Sequence, residues 1–578
     1  MLRSFMRRHG WKYIPGILFL LLCSYIQTLA PTALGEAIDL LREAELNKEA
    51  IFRQIWYIIL IAIGVFATRF TWRYFIIFNA RTMECEMRQA LFAHLQKMPV
   101  DYFNHIKTGD LIAYSINDVG AVRMTFGPAL AQTVNAIGTG IMAIVSMAGL
   151  IHPRLTGMAL LPIPLAIAAI LIIGSQVRRR FRRVQELFGD ISGTINENIN
   201  GMRVLKAYAQ EDARLKSFTA QSEEMRDANL GLTYTSSLLN PLIQIFFGLS
   251  AMISLIYGGM LAQQGTITVG EFTAFFSYLA LLMNPVMAIG RIVNLLQKGL
   301  ASMKRLNSLL EQPTIPLLDE GEADPPLKGD ISVRNLTFQY PRGDRPVLQN
   351  VSFDLPKGKI LGITGATGSG KSSLLYLLLK FYYAPENTIF VDGRDITEVS
   401  ARSIRELIGY VPQDGFLFNT TVEENIRFFN TAPTYEDLIK AAENAGLARD
   451  VEKFPQGYQT PVGERGNHLS GGQQQRLAIS RALALDPRIL ILDDSLSAVD
   501  TQTEHAILSR LRDELKDRTA IIVAHRLSAL ENCDEILVLE EGAIAERGTH
   551  DELLALEGHY AALYHQQRER KEKEADND

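Results

Sequence analysis

The sequence predicts a chain of two domains, an all-α membrane domain of six helices followed by an α/β domain. Three observations support this prediction. Residues 1–310 carry long apolar runs, residues 331–565 alternate strand-like apolar runs with helical periodicity, and residues 311–330 form a linker rich in proline and acidic residues. The 578 residues are also too many for a single hydrophobic core.

Composition excludes several function classes. The net charge of −5 gives no sign of a nucleic-acid partner. Cys23, Cys85 and Cys533 show neither metal-ligand spacing nor a disulfide framework, as expected of a chain whose bulk faces the cytosol. The tail, 566–578, is almost wholly charged from Arg568 onward and is predicted to be a frayed helix end or disordered.

The N-terminus has the basic start of a signal peptide but is predicted to be a retained transmembrane helix. The apolar run Tyr13–Ala30 exceeds a typical signal core. Pro31 follows the nearest small-residue cleavage site, where it would hinder cleavage.

Six apolar stretches approach or exceed the length of about 20 residues that a helix needs to cross a hydrocarbon core: 13–31, 55–75, 128–151, 155–174, 239–261 and 272–295. The loop between the first two is acidic, whereas the N-terminus is basic and five arginines follow span four, at 178–180, 182 and 183. Because basic loops stay in the cytoplasm, both ends and the two long loops are predicted to be cytoplasmic, in a multi-pass membrane protein whose α/β domain lies in the cytosol.

The two long loops, 78–127 and 175–237, are predicted to be helical extensions of the spans rather than loose connectors. Loops of this length without turn signals are uncommon, and these are charged and helix-periodic. Each is expected to reverse direction at a short segment, near Thr108–Asp118 in the first loop and near Ile199–Lys206 in the second.

Two charges fall inside a predicted span. Arg69 and Arg73 lie in the inner half of span two, where a charge is costly and usually faces protein or water. Either side chain could line a cavity, or both could extend toward the cytoplasmic interface, and the sequence leaves both alternatives open. Other polar residues in the spans often bond only neighbouring helices and predict no substrate site: Asn135, Asn240, Gln244, Asn284 and Asn294.

The α/β domain carries a phosphate-binding loop. A buried strand, Lys359–Thr364, leads into Gly-Ala-Thr-Gly-Ser-Gly-Lys-Ser, which matches G-x-x-x-x-G-K-S/T and opens a helix. Glycines let backbone N–H groups point at phosphate oxygens, the lysine reaches the outer phosphates, and the last serine offers its hydroxyl to Mg²⁺. ATP and Mg²⁺ are therefore the predicted ligands, bound by Gly365, Ala366, Thr367, Gly368, Ser369, Gly370, Lys371, Ser372 and Ser373.

A second acidic position follows the loop in sequence. A buried strand that starts at Arg488 ends in Asp493. In a P-loop ATPase such a carboxylate holds the magnesium shell together with the P-loop serine, here Ser372.

The stretch Leu469-Ser470-Gly471-Gly472-Gln473 resembles the signature of the ATP-binding-cassette (ABC) transporters, which other P-loop ATPases lack. The resemblance implies that this turn in one subunit caps ATP held by the P-loop of a second subunit. Its glycines and the N-terminus of the following helix would donate hydrogen bonds to the γ-phosphate.

Further positions match the family in order. Tyr340 corresponds to the aromatic residue that stacks on adenine, Gln413 to the glutamine that contacts magnesium and the attacking water, and His525 to the switch histidine at the γ-phosphate. Gly463–Gly466 resembles the exporter-type contact before the signature, and Ser497–Asp500 the loop that crosses the dimer interface. The resemblance covers nearly the whole chain and implies the ABC exporter fold, with two such halves per pump.

One position departs from the family pattern. Hydrolysing members carry glutamate as general base after the magnesium-binding aspartate, and this chain has Asp494. An aspartate is shorter by one methylene, and misplacement on the order of 1 Å can cost about 10²-fold in rate; a tolerated conservative replacement is the alternative. With an intact signature, the departure resembles the BmrC/MdlA-like halves of heterodimeric bacterial multidrug exporters. It predicts a partner half-transporter with glutamate at this position.

The leading hypothesis is ATP-driven export of amphipathic or hydrophobic compounds by a heterodimer in which this chain contributes a slow ATP site. A lipid or peptide exporter on the same scaffold, a homodimer and an ATP-gated channel are the alternatives. Six membrane spans argue against a soluble cassette ATPase that acts on nucleic acid. Import is not expected, because importers usually keep spans and ATPase on separate chains.

Overall fold

The computed structural model describes residues 2–42, 48–312, 314, 327–430, 432–495, 507–510 and 518–575 of the chain. The chain divides into two compact units, one of residues 1–96 and 107–312 and the other of residues 97–106 and 313–578. Most of the predicted linker, 311–330, and the end of the charged tail lie outside the described residues.

Six long helices make up the first unit: Ser4–Arg42, Lys48–Gln96, Thr108–Ile151, Pro153–Asn200, Glu211–Gln263 and Val269–Leu310. Each is long and apolar enough to cross a membrane, and each contains one of the six predicted spans. The helices are 39 to 53 residues long, about twice what a bilayer requires. The two long loops, 78–127 and 175–237, are therefore largely helical, as predicted.

The two long loops reverse at short helices. Met202–Ala207 makes the second reversal and overlaps the predicted segment, Ile199–Lys206. The prediction for the first loop was wrong, because Thr108–Asp118 is helical and the reversal is made by Val100–His105. This short helix belongs to the second compact unit, in which Asn104 Nδ2 donates a hydrogen bond to the Tyr382 hydroxyl at 3.1 Å.

The first and sixth long helices approach closely because glycine lies at their contact. A Cβ atom added to Gly270 would lie 2.1 Å from the Gly35 carbonyl oxygen, and one added to Gly35 would lie 2.5 Å from that of Gly270. Asp39 holds the same pair of helices, since its carboxylate accepts a hydrogen bond from the Gly270 N–H at 2.7 Å.

A buried carboxylate joins the third and sixth long helices on their extensions. Asp118 accepts a hydrogen bond from Ser302 Oγ at 2.7 Å and is paired with Arg305, whose Nε lies 3.0 Å from the carboxylate. A buried charge is tolerated when it is paired and hydrogen-bonded in this way, and removing one partner would leave the other uncompensated. The two helices are thereby fixed to each other.

The described part of the second unit contains ten strands: β1 Ile331–Phe338, β2 Leu348–Leu355, β3 Ile360–Gly365, β4 Ile389–Val391, β5 Arg394–Asp395, β6 Ile408–Val411, β7 Ile489–Asp493, β8 Thr519–Val523, β9 Glu535–Glu540 and β10 Ala543–Gly548. They form an antiparallel sheet in the order β2-β1-β4-β5 and a six-stranded sheet in the order β10-β9-β3-β8-β7-β6. In the larger sheet all pairs except β9–β10 are parallel. Parallel strands end at one edge, so the residues after β3, β6, β7 and β8 meet there.

Helices of the second unit cover the larger sheet and form a separate helical cluster: Lys371–Leu378, Ala401–Leu407, Val422–Arg427, Tyr435–Asn444, Ala448–Val451, Gly471–Leu483, His550–Ala555 and His559–Ala575. The helical cluster has its own apolar core, which includes Val422, Leu438 and Leu477, each fully buried. The P-loop helix instead packs on the core shared by both sheets.

Asp395 ties the segment around β4 and β5 together. Its carboxylate accepts hydrogen bonds from the Thr397 N–H and hydroxyl, at 2.8 and 2.7 Å, and from the Asn387 N–H. Burial alone would raise the pKa of Asp395, but these hydrogen bonds hold the pKa below its ordinary value of 3.8.

We predict that Asp395→Asn destabilises the second unit by about 1–3 kcal/mol, because an amide NH₂ would face the Asn387 N–H donor. The native carboxylate contributes fully above pH 3.8, and its contribution shrinks as the pH falls toward the lowered pKa. Thermal unfolding of the full chain in detergent measures the loss, with Asp344→Asn at an exposed position as the control. Equal unfolding temperatures for the two variants near neutral pH would contradict this role.

Candidate nucleotide-binding site

The P-loop joins β3 to the helix Lys371–Leu378, and its shape depends on glycine. Gly365 and Gly370 have φ of 143° and 99°. A Cβ atom at Gly365 would lie 2.1 Å from the Leu539 carbonyl oxygen, and one at Gly370 would lie 2.9 Å from that of Val347. Both the backbone and the space therefore require glycine, and the resulting turn can present its N–H groups to an anion.

Lys371 is buried inside this loop. Its Nζ donates hydrogen bonds to the carbonyl oxygens of Gly365 and Ala366, both at 2.8 Å. Burial lowers the pKa of Lys371, and the carboxylates of Asp493 and Asp494 oppose this shift. The loop thus holds a cation beside two carboxylates, an arrangement suited to phosphate together with a divalent metal ion.

Asp493 ends β7 beside the P-loop helix and is buried. It accepts a hydrogen bond from the Ser372 hydroxyl and a longer one, at 3.4 Å, from the Tyr410 hydroxyl. Burial raises the pKa of Asp493, and these hydrogen bonds and Lys371 oppose the shift. A hydroxyl and a carboxylate are the hard oxygen ligands that Mg²⁺ prefers, so the pair predicted to bind magnesium fits that ion.

The carboxylate of Asp494 lies between the other two predicted catalytic residues. Gln413 follows β6, and its Nε2 is 3.5 Å from Asp494 Oδ2. His525 follows β8, and its backbone N is 3.4 Å from Asp494 Oδ1. Both distances exceed the usual upper limit of about 3.2 Å, so these contacts are weak. Asp494 has a φ of 46°, which is uncommon for a non-glycine residue and often found at functional positions.

Tyr340 stands beside the P-loop helix. Its hydroxyl lies 2.8 Å from Ser373 Oγ. Its ring packs edge-on against Phe338 and Tyr382, with centroids 5.1 and 4.8 Å apart. An aromatic residue that is half-buried at the edge of a P-loop is well placed to stack on a purine base.

The signature begins a helix of the helical cluster, Gly471–Leu483. Ser470 caps this helix reciprocally with Gln473: the Gln473 N–H donates to Ser470 Oγ at 3.4 Å, and the Ser470 N–H to Gln473 Oε1 at 2.9 Å. Gly471 is exposed and Gly472 is half-buried. Across the described parts of the chain, no hydrogen bond or ion pair joins the signature to the P-loop, so the structure does not bring these two predicted halves of a site together.

The family resemblance predicted two further contacts, at Gly463–Gly466 and at Ser497–Asp500. Gly463–Gly466 forms a turn directly before the signature and exposes Glu464 and Arg465. Ser497–Asp500 lies outside the described residues.

Sequence reasoning missed Arg481, near the end of the signature helix. Arg481 donates hydrogen bonds to the carbonyl oxygens of Asn425 and Phe416, both at 2.9 Å, and lies 4.8 Å from the Phe428 ring. Burial lowers the pKa of Arg481 to about 10. Because Phe416 lies three residues after Gln413, Arg481 links the signature helix to the segment that starts at the predicted catalytic glutamine. The sequence carries no signal for this, since arginine in a helix is usually exposed.

Two family models match the chain. The ABC transporter transmembrane region matches residues 13–286, and the ABC transporter model matches residues 348–497. Together they cover nearly all of the first five long helices, the start of the sixth and more than half of the nucleotide-binding unit.

Curated relatives match over most of their length. The "Probable multidrug resistance ABC transporter ATP-binding/permease protein YheI" of Bacillus subtilis is 36% identical over 98% of this chain and 98% of its own. The "Multidrug resistance-like ATP-binding protein MdlA" of Escherichia coli is 34% identical over 97% of this chain and 95% of its own. An "ATP-dependent lipid A-core flippase" of Photobacterium profundum is 34% identical over 83% and 82%.

A solved structure has the same architecture. The "Structure of a bacterial Atm1-family ABC exporter with ATP bound" aligns with a TM-score of 0.79 and 27% identity, over 97% of this chain and 99% of its own. Fold, family models and relatives agree over nearly the whole length and confirm the predicted fold and family. The chain therefore belongs to the ABC transporter family, as a multi-pass membrane exporter that hydrolyses ATP.

Proposed function

We propose that the chain is one half of a heterodimeric pump in a bacterial cytoplasmic membrane that exports amphipathic or hydrophobic compounds. The relatives named for multidrug resistance support this substrate class. ABC exporters act as dimers, and we propose that the second subunit is a different half-transporter. The observation that carries the proposal is the carboxylate of Asp494, which occupies the general-base position with one methylene less than glutamate and would make the ATP site on this chain's P-loop the slower of two.

The site supports hydrolysis by an in-line attack of water on the γ-phosphate. In this proposal the P-loop N–H groups and Lys371 hold the phosphates, and Tyr340 holds the adenine. Bound Mg²⁺ would neutralise phosphate charge, with Ser372, Asp493 and Gln413 as the residues that hold it. Asp494 accepts the proton of the attacking water, while His525 contacts the γ-phosphate. The positions of Gln413, Asp494 and His525 directly after β6, β7 and β8, at the edge where the P-loop leaves β3, support these roles.

The two ATP sites of the dimer would be unequal. Each is formed by the P-loop of one subunit and the signature of the other, which agrees with the missing contact between these motifs among the described residues. This chain's short base slows the site on its own P-loop, by about 10²-fold for a misplacement on the order of 1 Å. Its signature, Ser470–Gln473, completes the site on the partner's P-loop.

Lipid export on the same scaffold is the second candidate function. The observation that favours it is the 34% identity to a protein named as a lipid A-core flippase. Reconstitution of the pump in liposomes separates the two candidates. ATP-dependent movement of drug-like dyes supports the first, and ATP-dependent movement of labelled lipid without dye transport supports the second.

We predict that Lys371→Ala reduces ATP binding at this chain's own P-loop to near background, because the buried cation that contacts the phosphates is lost. Photolabelling of the full chain with an azido-ATP measures binding. The matched control is Lys357→Ala, at an exposed position before β3. Undiminished labelling of the Lys371 variant would refute the site.

We predict that Gly471→Glu abolishes steady-state ATPase activity of the assembled pump while photolabelling at this chain's own P-loop persists. A carboxylate at the N-terminus of the signature helix would repel the γ-phosphate held by the partner. Gly471→Ala, which adds no charge, is the control and should lose less activity. If the pump with Gly471→Glu keeps its full ATPase rate, the signature does not act across subunits.

We predict unequal effects at the two general-base positions. Asp494→Asn in this chain should lower ATPase activity of the heterodimer by less than about tenfold, whereas glutamine at the partner's glutamate should lower it by about 10²-fold or more. Steady-state ATPase assays of the two heterodimers measure this difference. Equal losses would make Asp494 a working base, and rapid hydrolysis by this chain alone would remove the need for a different partner.

A further inference from the structure

A cavity of about 450 Å³ lies among the first, second, third and sixth long helices. Arg69 and Arg73 both border it, which favours the first of the two alternatives that the sequence left open for these residues. Its lining contains no acidic residue but several amides and one hydroxyl. The cavity is therefore polar and cationic although it lies between membrane-spanning helices.

Among the residues that the structure describes, the two arginines have no counterion. Within the described chain neither forms an ion pair, and none of the six predicted apolar stretches contains Asp or Glu. The Arg73 guanidinium lies 5.7 Å over the Trp72 ring, a contact that only partly compensates its charge. Charges inside membrane helices usually pair with an opposite charge or mark the path of a charged substrate. A bound anion would supply the missing countercharge.

One amide group in the cavity also lacks a partner, whereas Asn135 is hydrogen-bonded. The Oδ1 atom of Asn135 lies 3.4 Å from Ser24 Oγ and 3.5 Å from Thr139 Oγ1. Gln132 Oε1 is buried and accepts no hydrogen bond from any described group. A buried acceptor without a partner calls for an occupant that donates a hydrogen bond to it. A hydroxyl group, or a water molecule that accompanies the occupant, would meet this need.

The rest of the lining is apolar. Trp72, Ile77 and Leu281 contribute side chains beside the charged groups. An occupant that satisfies both parts of the surface is amphipathic, with its charged end at the arginines.

We propose that this cavity binds the oxyanion head group, a phosphate or a carboxylate, of an amphipathic substrate. The planar guanidinium forks of Arg69 and Arg73 match such oxyanions in charge and geometry. The proposal rests on the export function proposed above and names its substrate class, amphipathic anions in preference to cations or neutral compounds. The anion could come from a membrane lipid or from an amphiphile taken up from the cytosol, and the experiment separates these sources.

Trp72 provides a reporter inside the cavity. The chain has three tryptophans, and the other two, Trp11 and Trp56, are more than 60% exposed. Full-length chain with Trp11→Phe and Trp56→Phe, in phosphatidylcholine nanodiscs, is titrated with stearate that carries a doxyl quencher near its head group. The methyl ester and the trimethylammonium analogue of the same chain length are titrated in parallel.

We expect the carboxylate to quench Trp72 fluorescence with an apparent Kd lower than that of either analogue by about tenfold or more, the value of one hydrogen bond to a charged group. Arg69→Gln with Arg73→Gln should remove this preference, and lysine at both positions should retain most of it. Arg53→Gln, near the other end of the same helix, is the matched control and should bind like the unaltered chain. Equal quenching by all three amphiphiles, or no effect of the paired glutamine variant, would overturn the proposal.

Two further titrations identify the source of the anion. Quenching by doxyl-labelled phosphatidylglycerol in the disc indicates a lipid head group, and displacement of labelled stearate by octyl phosphate added in water indicates a soluble amphiphile. If the labelled lipid does not quench Trp72 and octyl phosphate does not displace stearate, the proposed anion site is wrong. None of these measurements requires ATP, so selective anion binding without ATP-driven transport would refute the export proposal alone, and transport without anion selectivity would refute the cavity alone.

Discussion

Parallel pairing of β3, β8 and β7 is the constraint on which the nucleotide site depends. Ile363 and Asp493 both lie opposite Val523, so β7 and β8 end level with each other and β3 continues for two more residues, to Gly365. The P-loop, the aspartate pair and His525 consequently leave the sheet at the same edge. A slip of one residue in this pairing would turn every side chain to the other face. Apolar packing of the strands therefore sets the distance between the lysine and the carboxylates.

Features with a local signal could be predicted from the sequence. The six spans, the P-loop and Asp493 each depend on a short run of residues whose hydrophobic pattern or spacing is diagnostic. The reversal of the first long loop was predicted at the wrong position, because helical periodicity continues in the sequence on both sides of it. The signal was Pro99, whose extended backbone (φ −64°, ψ 152°) begins the short helix Val100–His105. Its position is also decided by a distant contact, Asn104 with Tyr382, which no local pattern reveals.

The orientation and burial of some charged residues also could not be predicted from the local sequence. The sequence placed Arg69 and Arg73 in a span but could not fix the rotation of that helix about its axis, which depends on how four helices pack. Arg481 likewise reads as a surface residue, because its burial depends on the carbonyl oxygens of Asn425 and Phe416 in a preceding segment. In each case the partner lies far away in sequence or outside the protein, so propensity and periodicity carry no information about it.

The proposed asymmetry follows from how an ATP site is divided between chains. A P-loop and the base beside it fold as one unit, because both extend from adjacent strands, whereas the signature belongs to the helical cluster with its own core. A shortened base therefore impairs only the site on its own P-loop, and an intact signature serves the other. Two copies of this chain would place Asp494 at both sites and slow the whole pump. In the proposed heterodimer, a partner with glutamate would keep one site fast, while this chain's site would hold ATP and, through the dimer, keep the two ATPase domains together.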